Sequence, residues 1–423
     1  MKRTIILFTV LLIYVFSFGQ NIKTINLKEC YKSAVENHPV YKQLGLYSAT
    51  YQLEQKNIQV NYLPSMSLNG QATYQSDVTK IPFQLPNMII EEMSKDQYKL
   101  TFDISQNIYD GGITKKQKNI NEVDFKINKQ TVEIEFYKLK ERINQVYFNI
   151  IYLKENKKIL IVSKKNIESK HKTAQAAVNH GTLLQSDVDA LKIGLIILEQ
   201  KITEVEIGIQ LSIKILKELT SLEINENTIF DFPEIEIAHL EFQNFRPEYQ
   251  LLNLQQEKTA ALKEVVSAKL LPRIAAFGKT GFGRPGFDML SNEFDFFYFV
   301  GAQISWSPFN WNKSKREKEI FNLRNEIINT QKNAFDKNLK IGLEQNKYEI
   351  IKYKELIKKD IEIIELRKKI TKTASAKFDN GVLTSSEYIE EVNAETQAQL
   401  NFQTHKIQML MAKINYLTSI GKL

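Results

Sequence analysis

What the chain is short of narrows the field first. Among its 423 residues there is one cysteine, Cys30, so no intramolecular disulfide can form. Five histidines, at positions 38, 171, 180, 239 and 405, fall at no metal-ligand spacing. Past the first twenty residues no apolar run reaches the ~18 residues that a membrane-crossing helix needs. There is no Gly-x-Ser-x-Gly nucleophile elbow. Gly278-Lys279-Thr280 lacks the earlier glycine of a phosphate loop, whose place is taken by Arg273. Gly281-Phe282-Gly283-Arg284-Pro285-Gly286 has the spacing of a dinucleotide fingerprint, but Pro285 lies inside it and no helical period follows, so it reads as a hairpin loop. No enzyme, cofactor or metal is expected. Neither sign of charge dominates, with 57 lysines and arginines against 49 aspartates and glutamates. The formal balance is +8, and most lysines and arginines are scattered among glutamates, as on solvated helix faces rather than in a nucleic-acid patch.

What is present begins at the N-terminus. Lys2 and Arg3 precede an apolar run from Ile5 to Phe16, and Ser17-Phe18-Gly19 offers small residues before a cut ahead of Gln20. Residues 1–19 are therefore expected to be a secretory signal peptide. Cys30 lies well past that cut, which does not place it as a lipid anchor. The remainder, 43% hydrophobic and 25% charged over the whole chain, has the composition of a folded protein.

The chain repeats itself. His38-Pro39-Val40 is echoed by Arg246-Pro247-Glu248, and Tyr62-Leu63-Pro64 by Leu270-Leu271-Pro272, both with an offset of 208. Asn179-His180-Gly181-Thr182-Leu183 is echoed by Asp379-Asn380-Gly381-Val382-Leu383 with an offset of 200. Three pairs in order argue for a duplicated unit, with the difference absorbed in a loop between Pro64 and Gly181. Each unit reads as a helix stopped by proline, two strands, a very long helix, a glycine-bearing turn and a second helix. The first repeat spans 20–219, with strands over about 65–109 and a helical hairpin over about 111–219. The second spans 247–423, with strands over about 273–307 and a hairpin over about 312–420. Between them, 220–246 is a linker of short irregular elements.

The strands have two unlike faces. Met66, Leu68, Gly70, Ala72 and Tyr74 alternate with Ser67, Asn69, Gln71 and Thr73, and Tyr98, Leu100, Phe102 and Ile104 alternate with Lys99, Thr101, Asp103 and Ser105. Runs of about ten residues with this period suit a tilted membrane strand, polar side to water, and equally a half-buried strand of a soluble sheet. Tyr74, Tyr98 and Tyr109 near the run ends fit an interfacial girdle. The second pair is less tidy, because Phe297 and Phe299 fall on the polar side; that pair either packs inward or is out of register. Lipid cannot satisfy an open sheet edge and membrane barrels need about eight strands, so four strands in lipid would require several copies.

The helices carry sustained heptads. Phe125, Val132, Leu139, Val146, Leu153, Leu160, Ile167 and Ala174 recur every seven residues, with Phe136, Ile143 and Ile150 in a second column. Val188, Leu195, Ile202, Ile209 and Leu216 continue after the first turn, and Leu343, Ile350, Ile357, Ile364, Thr371 and Phe378 mark the second unit. Such repeats wind helices on partners.

With these residues in view, the chain resembles the TolC family of outer-membrane efflux proteins. Leu27-Lys28-Glu29-Cys30, followed by Ala34-Val35-Glu36-Asn37-His38-Pro39, is similar to that family's opening motif; Tyr109-Asp110-Gly111-Gly112 and the two glycine tips fit as well. The resemblance covers essentially the whole chain after residue 19. It implies a mainly α protein with membrane β-strands: a homotrimer whose 12-stranded barrel continues as an α-helical periplasmic tunnel. It also implies residence in the outer membrane of a Gram-negative cell, a periplasmic adaptor and an inner-membrane pump as partners, and a role as the channel of a tripartite efflux or type I secretion system. A passive porin would leave the helices unexplained, and a coiled-coil scaffold of the envelope would leave the strands and signal peptide unexplained. The tips Asn179, His180, Gly181, Thr182 and Asp379, Asn380, Gly381, Val382 would contact the adaptor. Two acidic residues past the second tip line the periplasmic gate in the resembled family, and the matching positions are Glu387 and Glu390. Asp187 holds the place of a polar link between neighbouring coils. The basic residue expected two after the second tip's glycine is Leu383 here, a departure that puts the family's latch in doubt.

Overall fold

The structure is a computed structural model that describes residues 24–79, 93–233, 235 and 245–422. The expected signal peptide over 1–19, His239 and much of the linker over 220–246 lie outside the described residues. The chain divides into two units, one of Met1–Lys42, Val132–Pro247 and Phe335–Leu423, the other of Gln43–Thr131 and Glu248–Ala334.

The elements recur in the order of the sequence repeats. After β1 (Thr24–Ile25) come α1 (Leu27–Asn37), α2 (Tyr41–Gln59), β2 (Ser65–Tyr74), β3 (Asp96–Tyr109), α3 (Ile113–Asn179) and α4 (Gln185–Thr220). Then follow β4 (Ile229–Phe230), α5 (Pro247–Ala268), β5 (Arg273–Arg284), β6 (Asp295–Ser305), α6 (Lys313–Asp379) and α7 (Ser385–Ser419). Helices α3 and α6 each hold 67 residues, about 100 Å at ~1.5 Å per residue. Among the described residues no helix is long and apolar enough to cross a membrane.

In the helical unit the heptad columns do the packing. Val132, Leu139, Leu160, Ile167 and Ala174 are buried, as are Phe136, Ile143 and Ile150. Leu139, Ile143, Ile150, Leu160, Ile167 and Ala174 meet Val188, Leu191, Leu198, Ile209 and Leu216 of α4 and Val392, Ile407, Leu410 and Ile414 of α7. Helix α1 starts because Asn26 Oδ1 accepts the Glu29 amide at 2.9 Å. It seats Leu27, Cys30, Tyr31 and Ala34 in the same core. Cys30 is fully buried and behaves as a small apolar side chain. Part of the linker, as β4, pairs in parallel with β1. The Tyr147 hydroxyl closes that corner, 3.0 Å from the Ile25 carbonyl and 2.7 Å from that of Asp231.

In the strand unit the sheet is antiparallel throughout, in the order β2-β3-β5-β6. The middle pairing joins the two repeats, and β2 and β6 are the outer strands. Apolar residues stand opposite apolar residues: Met66 against Ile104, Leu68 against Phe102, Leu100 against Phe282, Gly278 against Val300. Gly281 and Gly283 lie within β5 rather than in a hairpin loop, which corrects the reading of that glycine run. A Cβ on either would come within 2.8 Å of a β3 carbonyl, Leu100 O or Tyr98 O, so close strand approach is what the glycines permit.

Candidate functional site

Two regions hold the side chains singled out from the sequence: the hairpin tips in the helical unit and the two-faced sheet in the strand unit.

The tips close by one device used twice. Gly181 and Gly381 adopt φ of +73° and +71°, a left-handed conformation that side-chain-bearing residues seldom take. The Gly181 amide donates to Val178 O at 2.9 Å and the Thr182 amide to Ala177 O at 2.9 Å. At the second tip, Gly381 donates to Phe378 O at 3.0 Å and Val382 to Lys377 O at 2.9 Å. This double bond pattern ends α3 and α6 and turns each chain sharply into its return helix. His180 and Asn380, on the residue before each glycine, are exposed. Beyond the turns Leu184 and Val382 are each 71% exposed.

The return helices start differently. Helix α7 has a full capping box: Glu387 Oε2 accepts from the Thr384 amide at 2.9 Å and hydroxyl at 2.8 Å, and the Glu387 amide donates to Thr384 Oγ1 at 3.3 Å. These bonds, the amide first, hold the Glu387 carboxyl below its ordinary pKa. Helix α4 begins at Leu184 without a side-chain cap. Its first-turn acid, Asp187, instead reaches across to the other hairpin and accepts the Ser385 amide at 3.3 Å.

A second bridge joins the hairpins. Lys170 of α3 donates to Asp379 at 2.6 and 2.7 Å while its ammonium stands 5.9 Å from the Tyr388 ring. Tyr388 stacks on Phe378 at 5.5 Å, and its phenol is pushed up to about 12 by burial and then by the charges of Asp379 and Glu395. Glu390 is exposed, and Glu391 pairs with Arg367 at 3.1 Å. A cleft of about 510 Å³ between α6 and α7 brings Glu387, Glu390 and Glu391 together with Lys369 and Lys377. The structure thus groups Glu387 with Glu390, sets Asp187 at the base of α7, and adds Lys170, Arg367 and the two cleft lysines, which the sequence reading missed. Among the described residues no group of three or more His, Cys, Asp and Glu side chains is placed to hold a metal ion.

The sheet presents Leu68, Leu100, Tyr298, Val300 and Ile304 on one exposed face. On the other, Asn69 donates to Asp103 at 2.7 Å, and Asp103 pairs with Lys279 at 2.8 Å. Phe297 and Phe299 belong to this second face by register, Phe297 opposite Gly281 and Phe299 opposite Lys279. At the end of the sheet where Tyr74 pairs with Asp96, Tyr98, Phe282 and Phe294 stack on the first face, with Arg284 over Tyr98 and Phe294 and paired with Asp96.

A duplicated unit of two amphipathic strands and a long helical hairpin is the fold of a class of outer-membrane channels. The chain is similar to the CmeC outer membrane channel of Campylobacter jejuni, 15% identical, with 94% of this chain and 85% of that one covered and a TM-score of 0.69. It is also similar to the outer membrane protein VceC of Vibrio cholerae, at 12% identity, 93% and 96% coverage and a TM-score of 0.70. For the open state of the MtrE outer membrane channel of Neisseria gonorrhoeae the values are 13%, 93% and 88%, and 0.67. No protein-family model and no curated protein sequence matches the chain, so the likeness is one of fold.

Proposed function

We propose that this chain is the outer-membrane channel component of a tripartite efflux or type I secretion system in a Gram-negative cell, a duct for solutes with no chemistry of its own. The observation that carries the reading is the sheet. It exposes an apolar face and a polar face, and among the described residues β2 and β6 have no strand neighbour on their outer sides. An apolar face with open edges is stable in lipid only if copies close the sheet on itself. Three copies give a barrel of twelve strands, apolar side to lipid and polar side to a water-filled lumen. The leader over 1–19 directs export, and the two repeats supply equal shares of barrel and tunnel.

The tips, from Asn179 to Thr182 and from Asp379 to Val382, dock a periplasmic adaptor that connects to an inner-membrane pump. The exposed Leu184 and Val382 give that contact an apolar component. Glu387 and Glu390 line the periplasmic gate, and Asp187 ties the two hairpins beneath it. Its depressed pKa keeps Glu387 ionised at neutral pH.

One fractionation experiment tests the reading. A Val382→Cys chain carrying a short cross-linker is expected in the outer-membrane fraction, captured with a periplasmic protein that has a coiled-coil hairpin. Recovery as a soluble monomer would overturn the duct, and a membrane-resident chain that captures nothing from either Val382→Cys or Thr182→Cys would overturn the docking role of the tips.

A further inference from the structure

The water-side face changes character across the sheet. On β2 it carries Ser67, Asn69, Gln71 and Thr73, whereas β6 places Phe297 and Phe299 there and β5 places Phe277. Glycines on the neighbouring strand seat these rings. A Cβ on Gly281 would lie 2.8 Å from the Phe297 ring, and one on Gly301 would lie 2.9 Å from the Phe277 ring. The rings therefore lie along the sheet, as aromatic side chains do over cross-strand glycines. Phe277 and Phe299 meet edge to face at 6.0 Å. Phe287, from the connection after β5, meets Phe297 and Phe299 at 5.6 and 5.7 Å in the same manner.

Two facts set this cluster apart from ordinary packing. Phe297 is only 7% exposed, but Phe287 above it is 62% exposed, so the cluster keeps an open aromatic surface. Basic side chains flank that surface. The Lys99 ammonium stands 5.5 Å from the Phe297 ring centroid and makes no ion pair among the described residues. Lys279, directly across from Phe299, has already engaged Asp103 at 2.8 Å. The two carboxylates on this part of the face each have a partner, Asp103 in Lys279 and Asp295 in the Phe296 amide, which it accepts at 2.8 Å. An anion would find Lys99 available.

The geometry points to a solute-contact site on this face, formed by Phe287, Phe297, Phe299 and Lys99, for a flat apolar ring that bears a carboxylate or sulfonate. The proposal rests on the duct reading, since only there does this face line a solute path. The ring of the solute packs edge to face on Phe287 and Phe299, and its anionic group pairs with Lys99.

The test is a fluorescence titration of the detergent-purified full chain with 2-naphthoate, beside 2-naphthylmethylammonium and acetate. Saturable binding of 2-naphthoate is expected, with the ammonium compound at least about tenfold weaker and acetate not bound. Phe287→Ala removes only an exposed ring and Lys99→Gln only an exposed charge, and each should weaken 2-naphthoate binding about three- to tenfold. Absence of saturable binding, equal binding by both variants, or equal binding of the ammonium compound would overturn the site. The same preparations in planar bilayers separate the two claims. A chain that conducts but does not bind 2-naphthoate loses this site and keeps the duct, and a chain that binds but never conducts keeps the site and loses the duct.

Discussion

Glu387 holds the first turn of α7 through its bonds to Thr384 and at the same time supplies one of the proposed gate carboxylates. Truncation to alanine therefore removes a helix cap along with a charge, and the two effects must be separated by chemistry. Glutamine also closes a capping box, so Glu387→Gln keeps the cap and deletes the charge. The double variant Glu387→Gln/Glu390→Gln is expected to fold normally and to lose cation preference in planar bilayers, because in the proposed trimer it would remove two rings of three charges from the gate. Lys369 and Lys377 across the cleft offset part of that field, so the loss should be partial. Unchanged selectivity would remove these residues from the gate. Glu387→Ala alone should lower Tm by about 2 °C. The pH dependence follows from the depressed carboxyl: the cap contributes fully above the ordinary glutamate range and is lost as pH falls through the lower folded value. Thr384-Ser385-Ser386-Glu387 has capping-box spacing, which the sequence reading passed over although the pattern was legible. The Lys170–Asp379 bridge was not, because it joins residues 209 apart on separate hairpins and no local pattern marks it.

At the scale of elements, the sheet is where patterning and structure can be compared side by side. The alternation in β2 and β3 reads directly as two faces because each position obeys one environment. In β6 the same logic fails at Phe297 and Phe299, which signal inward packing or a slipped register when the strand is read alone. The register is in fact continuous through β5 and β6: Phe297 lies against Gly281 of β5, and Phe277 of β5 lies against Gly301 of β6. Only the pairing reveals that, and pairing is a non-local fact. The coiled-coil columns were legible for the opposite reason: a seven-residue period is local, and its residues from Val132 to Ala174 on α3 are buried or half-buried. The two-faced sheet also sets a sharp test between adjacent residues. Leu68→Arg places a charge on the apolar face, at a cost of about 2–4 kcal/mol near a bilayer midplane. Asn69→Arg places it on the polar face, beside Asp103. Leu68→Arg is expected to abolish heat-resistant, membrane-extracted oligomers, while Asn69→Arg preserves them. Equal tolerance of both, measured by gel mobility before and after heating, would show that the apolar face does not meet lipid.

For the whole molecule, the uncovered surfaces say what kind of assembly can satisfy them. Helix α4 leaves Ile193, Ile197, Ile207 and Leu211 exposed, and α6 leaves Ile341, Tyr348, Ile351, Leu366 and Ile370 exposed. These are different surfaces on different helices, just as β2 and β6 are different edges of the sheet. A contact between unlike surfaces is head-to-tail, and such contacts end only when the rotation closes a ring. Four strands per copy make twelve in a ring of three, within the range of closed membrane barrels. These helical side chains are about half exposed, so burying each in the proposed ring would contribute roughly half of the ~1.5–3 kcal/mol of a fully exposed one, and together the helical flanks would favour assembly. The consequence is a coupling that neither unit explains alone. Ile197→Asp with Leu211→Asp alters only the helical flank, yet it should yield monomers by light scattering in mild detergent. Those monomers should also fail to insert into liposomes, because their sheets keep two open edges that lipid cannot satisfy. A variant that stays trimeric would remove α4 from the interface. A monomer that still inserted and conducted would break the link between ring closure and membrane residence on which the duct depends.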